Sequence, residues 1–127
     1  MFPELFVTWI ESQRESLEAR GFHVESVVPN LDRDDSGWLY AARVDFELPK
    51  FLGDIMVWRA GHCDIGVVDI ETGESKHECL VFTSTGEHPF PGDWRRLFLI
   101  QKPEDFAPIF EEFLAPFLEP SLTGEPS

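Results

Sequence analysis

Residues Phe51 to Ser75, FLGDIMVWRAGHCDIGVVDIETGES, read as two strands bounded by two tight turns. Strands so close in sequence can only pair antiparallel. Leu52, Met56 and Trp58 fall on one side of the first strand, and Cys63, Ile65 and Val67 on one side of the second, the period-two pattern of half-buried strands. Ala60-Gly61 predicts the turn between them, because glycine supplies the positive φ that two-residue hairpin turns demand. Glu71-Thr72-Gly73-Glu74 offers a second turn at the far end.

Around this hairpin the rest of the chain predicts helices bracketing a sheet. Pro3 opens a helix in which Leu5, Phe6, Trp9, Ile10 and Leu17 recur at helical spacing, and Gly21 caps it. A β-branched stretch follows from Phe22 to Val28, then a loop from Pro29 to Gly37, then a strand from about Trp38 to Glu47. In that strand Tyr40, Ala42, Val44 and Phe46 alternate with Arg43, Asp45 and Glu47. TSTGEHPFPGDW reads as loop, and Leu97 to Ile100 as either a short strand or the edge of a helix. Lys102-Pro103-Glu104-Asp105 opens a final helix with an apolar stripe of Phe106, Ile109, Phe110, Phe113, Leu114 and Phe117. Pro108 and Pro116 fit a long helix badly, so a short helix from Pro108 is the alternative. The expectation is one α+β domain over residues 1–127. It is an antiparallel sheet of about five strands in meander order, with an N-terminal and a C-terminal helix packed on one face. The tail from Glu119 to Ser127 is expected to fray.

A register follows from assuming that Arg59 pairs with His62: Trp58 then opposes Cys63, Met56 opposes Ile65, and Asp54 opposes Val67. The second turn would set Val67 against Cys79 and Ile65 against Val81, and the first loop would set Phe46 beside Leu52 and Ala42 beside Met56. The inward face becomes Tyr40, Ala42, Val44, Phe46, Leu52, Met56, Trp58, Cys63, Ile65, Val67, Cys79 and Val81. The outward face mixes Ile55, Val57, Val68, Ile70, Leu80 and Phe82 with Arg43, Asp45, Arg59, His62 and Asp64.

Composition supports a folded chain: 43% of residues are hydrophobic, and twelve Phe and four Trp can enclose a substantial core. No apolar run approaches the ~20 residues of a membrane span. The start, MFPELFVTWIESQRESLEAR, lacks a basic leader and a small-residue cleavage site, which predicts a cytoplasmic protein without a membrane role. Two cysteines are too few for a disulfide framework and are expected as free thiols. Ten Lys and Arg against twenty-four Asp and Glu leave a net charge of -14, which repels a phosphate backbone and argues against nucleic acid. The same charge suits solubility, or attraction of a basic protein partner.

Chemistry is sparse. His62 and Cys63 point to opposite faces, and the register above separates Cys63 from Cys79 by about 13 Å. His77 and Cys79 share a face but lack a third ligand, so no metal site and no cofactor is expected. No phosphate loop, nucleophile elbow or HExxH is present. Trp94-Arg95-Arg96 is the one basic cluster, and an exposed Trp beside Arg is a frequent interface anchor. The alternative is that Trp94 folds back onto the core while the arginines pair with local acids.

With these elements placed, GDIMVWRAGHCDIGVVDIETGES resembles the corresponding run of the TriTu family of bacterial immunity proteins. The residues carrying it are Gly53, Ile55, Val57, Trp58, Gly61, Cys63, Asp64, Val67, Asp69, Glu71, Thr72 and Gly73. The resemblance extends over most of residues 1 to 82, and the stretch from about Thr83 to Lys102 departs from the family pattern. It implies a non-enzymatic antidote that binds a cognate toxin domain, one that ADP-ribosylates elongation factor Tu. The contact surface expected on this chain comprises Asp45, Arg59, His62, Asp64, Trp94 and Arg95, on a monomer or weak dimer. A scaffold or assembly protein, and a small enzyme with an unrecognised pocket, are the alternatives.

Overall fold

A computed structural model describes residues 2–33, 39–90, 92 and 95–118, and the side chains of all of these except 28–33 and 39–40. The first element is helix α1, Phe2–Ala19. Phe2, Phe6 and Ile10 recur every fourth residue and, with Pro3, Trp9 and Leu17, form its buried stripe. Gly21 ends it at φ +99°, where the Phe22 N–H donates to the Leu17 carbonyl (2.9 Å) and the Gly21 N–H to the Glu18 carbonyl (3.1 Å). This paired 6→1 and 5→2 pattern needs a left-handed residue, which glycine adopts at no steric cost. It turns Phe22, fully buried, into the core.

Six strands follow: β1 (His23–Arg33), β2 (Leu39–Glu47), β3 (Phe51–Trp58), β4 (His62–Asp69), β5 (Ser75–Thr83) and β6 (Arg96–Leu99). They lie in one sheet in the order β1-β2-β3-β4-β5-β6. All neighbours are antiparallel except β5 and β6, which are parallel. The expected α+β meander is therefore present, with β6 as a sixth strand where Leu97 to Ile100 had two readings. A 3-10 turn (Pro103–Phe106) leads into helices α2 (Ala107–Phe113) and α3 (Ala115–Leu118). Pro116 lacks the N–H that a continuous helix would need at that point, so the apolar stripe is divided between two short helices.

The core lies between the sheet and these helices and is dominated by rings. Phe22 stacks on Phe46 with centroids 4.5 Å apart and meets the edge of Phe110 at 5.1 Å. Phe106 sits among Phe6, Trp9 and Phe82, at 5.3, 6.4 and 5.5 Å. Such tilted and T-shaped pairs contribute roughly 0.5–1.5 kcal/mol each beyond the area they bury. Both ends of the described chain thus meet in one cluster.

Several sequence expectations are corrected. The region expected to be a loop from Pro29 continues as β1 to Arg33, with irregular pairing between Val24 and Ser26 and between Val28 and Asp32. Bulges of this kind accommodate a proline in an edge strand. Residues 34–38 lie outside the described residues, as does the tail from 119. The strand register also differs throughout the expected hairpins. Phe46 opposes Gly53, not Leu52, and Ala42 opposes Val57. Cys63 opposes Val57 and Ile65 opposes Ile55. Val67 opposes Lys76 and Cys63 opposes Leu80.

The turns explain the β3–β4 and β4–β5 shifts. Gly61 donates to the Trp58 carbonyl (3.0 Å) and has φ +114°, so the β3–β4 loop has three residues, Arg59, Ala60 and Gly61, instead of two. Any Cβ at Gly61 would also stand 2.8 Å from the Phe82 carbonyl oxygen. The β4–β5 loop is closed by the Asp69 N–H donating to Glu74 (2.8 Å) and the Gly73 N–H to Asp69 (2.8 Å). Asp69 Oδ1 accepts from the Glu71 and Thr72 N–H groups at 2.8 and 3.1 Å, which fixes that loop locally. A shift of an odd number of residues moves a strand's side chains to the other face. Ile55, Val57, Leu80 and Phe82 are consequently inward and buried, while Met56, Trp58 and Cys79 point outward. β2 and β4 keep the faces expected for them.

Gly53 locks this arrangement. A Cβ there would lie 2.4 Å from the Gly66 carbonyl oxygen and 2.5 Å from the Phe46 ring. We expect Gly53→Ala to destabilise the fold by about 1–3 kcal/mol, the usual range for overpacking. Gly66→Ala, where the nearest atom is the movable Asp54 carboxylate at 3.1 Å, should cost clearly less. Urea unfolding of both variants would check the order; equal midpoints would contradict it.

Candidate functional site

The helices cover one face of the sheet, and the other carries the polar side chains of β2 to β5 in cross-strand rows. Register sets Arg43, Met56, Asp64 and Cys79 side by side in one row, and Asp45, Asp54, Gly66 and His77 in the next. On the β2 side, Arg43 Nε donates to Asp45 Oδ1 at 2.9 Å and lies 3.8 Å from Asp54, while Ser26 Oγ donates to Asp45 Oδ2 at 2.9 Å. The hydrogen bond and charge of Asp45 hold the Arg43 guanidinium above its ordinary pKa. At the far end of β3 and β4, Leu52 and Val68 pair with 48% and 41% of their surfaces exposed. This face is thus polar through its middle and apolar at one end.

At the opposite end, beside the β3–β4 turn, Trp58, Arg59, Ala60, His62, Asp64 and Arg95 line a cleft of about 380 Å³. Phe90, from the segment between β5 and β6, stacks on the His62 ring at 4.3 Å with planes 17° apart. That segment is anchored by Thr83, whose buried hydroxyl donates to the Glu87 carbonyl (2.8 Å) and accepts from the Thr85 and Gly86 N–H groups (3.2 Å each). His88 Nδ1 accepts the Phe90 N–H at 3.0 Å, which sets the approach of that ring. The cleft therefore has a rigid floor of strand and a wall supplied by a loop folded back on the sheet.

Of the residues expected from sequence to form a contact surface, Arg59, His62, Asp64 and Arg95 come together in this cleft. Asp45 does not join them: it lies on the same face in β2, on the far side of β3, engaged with Arg43 and Ser26. Trp94 lies outside the described residues. Trp58 and Ala60 line the cleft without having been expected there. The three-residue β3–β4 turn is what brings Trp58 outward, and glycine preceded by two turn-compatible residues was its one local sign.

A second grouping also depends on the corrected register. Asp64 faces Cys79 directly, and His77 follows two residues along the same face of β5. One ligand atom from each of the three lies within 4.8 Å of the others, with His77 Nε2 4.0 Å from Asp64 Oδ1. The third partner that His77 and Cys79 lacked in the expected register is Asp64.

The two thiols differ sharply. Cys63 is buried, and loss of water pushes its pKa far above the ordinary thiol value. Cys79 is exposed, yet its pKa is also raised, first by a hydrogen bond to Asp64, then by partial desolvation and the Asp64 charge; Arg95 acts in the opposite sense. A thiol held protonated in this way is the reverse of an activated nucleophile.

Comparison with known proteins adds one relation. The sequence model of the family described as Immunity protein TriTu matches residues 4–87, more than half of the chain. No curated protein and no solved structure matches.

Because the Asp64 carboxylate favours the protonated thiol, Asp64→Asn should lower the Cys79 pKa and raise its thiolate fraction at neutral pH. Iodoacetamide should then modify Cys79 several-fold faster than in the parent chain. Cys63 should react only after unfolding. Equal rates in parent and variant, followed by mass spectrometry, would refute the stated cause.

Proposed function

The chain belongs to the TriTu family of immunity proteins, and from that premise we propose that it binds and neutralises a cognate antibacterial toxin domain without catalysis. The family match over residues 4–87 carries this reading. In its finer form, the toxin ADP-ribosylates elongation factor Tu, and the antidote acts in the cytoplasm of the cell that makes both proteins. The chain works as a single domain, needs no cofactor, and meets a protein surface, not nucleic acid.

Three physical features favour such a role. The net charge of -14 draws a basic partner over a distance of about one Debye length, roughly 8 Å at physiological salt, and speeds the encounter. Close in, the cleft offers what long-range charge cannot: Trp58 as an apolar surface, Arg59 and Arg95 as planar donors, and Asp64 as an acceptor. Tryptophan and arginine are the side chains that most often carry interface energy. A sheet braced by a ring-filled core loses little conformational freedom on docking, so less of the contact energy is spent on ordering. The proposed contact also takes in Asp45, farther along the same face, and Trp94. Among the described residues no helix is long and apolar enough to cross a membrane.

Co-expression with a toxin domain that ADP-ribosylates elongation factor Tu tests the proposal. The parent chain should restore growth, whereas Arg59→Glu and Asp64→Lys should each weaken toxin binding by ~tenfold or more, about 1.4 kcal/mol, without changing the urea midpoint by a comparable amount. Growth arrest in the presence of the folded parent chain would overturn the function. Full affinity in both variants would overturn the site.

A further inference from the structure

We propose that Asp64, His77 and Cys79 form a three-ligand site for Zn²⁺ on the open face of the sheet, independent of the toxin-binding reading. The donor set is one carboxylate oxygen, one imidazole nitrogen and one thiol sulfur, all within 4.8 Å of one another. Zinc accepts this mixture, whereas Mg²⁺ and Ca²⁺ demand oxygen.

The backbone makes the grouping a property of the fold and not of one rotamer. Asp64 and Cys79 are directly opposed across β4 and β5, and His77 lies two residues from Cys79 on the same side. Bonds of about 2.0–2.3 Å around tetrahedral zinc place neighbouring ligand atoms roughly 3.3–3.8 Å apart. Closing from 4.0 Å between His77 Nε2 and Asp64 Oδ1, and from at most 4.8 Å for the other pairs, needs only side-chain rotation. His77 and Cys79 are exposed and have room to make it.

Gly66 helps to aim the imidazole. It stands opposite His77, and the space above it, where a Cβ would be, is bordered by His77 Nδ1 at 3.6 Å and Asp54 Oδ1 at 3.1 Å. Of its two ring nitrogens, Nε2 is the one that lies near Asp64, 4.0 Å from Oδ1. Asp54, Asp64 and Glu78 supply negative charge around the site, and Arg95 near Cys79 opposes a cation while favouring the thiolate. The chain's net charge of -14 adds to the attraction.

On binding, the Cys79 S–H bond breaks, the sulfur lone pair forms the bond to zinc, and the proton passes to solvent. Three protein ligands leave a fourth position for water. Asp64 also lines the neighbouring cleft, so the site borders it.

Calorimetric titration of the reduced, metal-free full chain with ZnCl₂ is the test. One equivalent should bind in the micromolar range or tighter, and His77→Ala and Cys79→Ser should each weaken binding by ~tenfold or more. His23→Ala, on a distant histidine, should leave the isotherm unchanged. Co²⁺ in place of Zn²⁺ should give a thiolate-to-metal charge-transfer band that is missing in Cys79→Ser. Absence of binding, or an isotherm that neither variant alters, would overturn the site. Growth rescue by the Cys79→Ser chain separates this result from the toxin reading, because zinc binding and protection are then scored in different assays.

Discussion

The ring of Phe46 occupies the space that any side chain at residue 53 would fill. A Cβ at Gly53 would lie within 2.5 Å of that ring, so β2 and β3 can pair closely only with glycine opposite phenylalanine. Since side chains alternate along a strand, this one juxtaposition decides that Ile55 and Val57 face the helices and that Asp54, Met56 and Trp58 face outward. The other side of Phe46 is stacked by Phe22, delivered by the Gly21 turn at the end of α1. Sheet register, helix docking and the composition of the open face are thereby joined at a single pair of residues.

Alternation explains what could be read in advance. The strands of the meander, α1, and the faces of β2 and β4 were legible because their apolar residues alternate with charge: Val44 and Phe46 against Arg43 and Asp45, Ile65 and Val67 against Asp64. β3 and β5 carry apolar residues on both sides, as Met56 and Trp58 against Ile55 and Val57, and Cys79 and Val81 against Leu80 and Phe82. For them pattern is silent, and loop length decides, together with the fit of Gly53 against Phe46 in β3. One residue more in the β3–β4 turn, and a β4–β5 loop closed earlier in the chain by Asp69 and Glu74, were enough to reverse them. β6 carried no strong local sign either, because its parallel partner is reached only after a Gly- and Pro-rich crossover. The cleft was partly legible, since Arg59, His62 and Asp64 are neighbours of one turn. The grouping of Asp64 with His77 and Cys79 was not, because it exists only in the correct β4–β5 register.

The span shared with the immunity family ends at residue 87, before β6 and the C-terminal helices. The cleft consequently draws on two sources: Trp58 to Asp64 from inside the shared span and Arg95 from outside it. The core does the same, for Phe6, Trp9 and Phe22 are completed by Phe106 and Phe110.

This last arrangement has a bearing on how the chain acquires its structure as it is made. The hairpins of β2 to β5 join residues close in sequence and can form while synthesis is under way. The lid over α1 cannot, because Phe106 and Phe110 emerge some hundred positions after Phe6. Hydrophobic surface on α1 and on the inner side of the sheet therefore stays open to water, and to unwanted association, until the last short helices leave the ribosome.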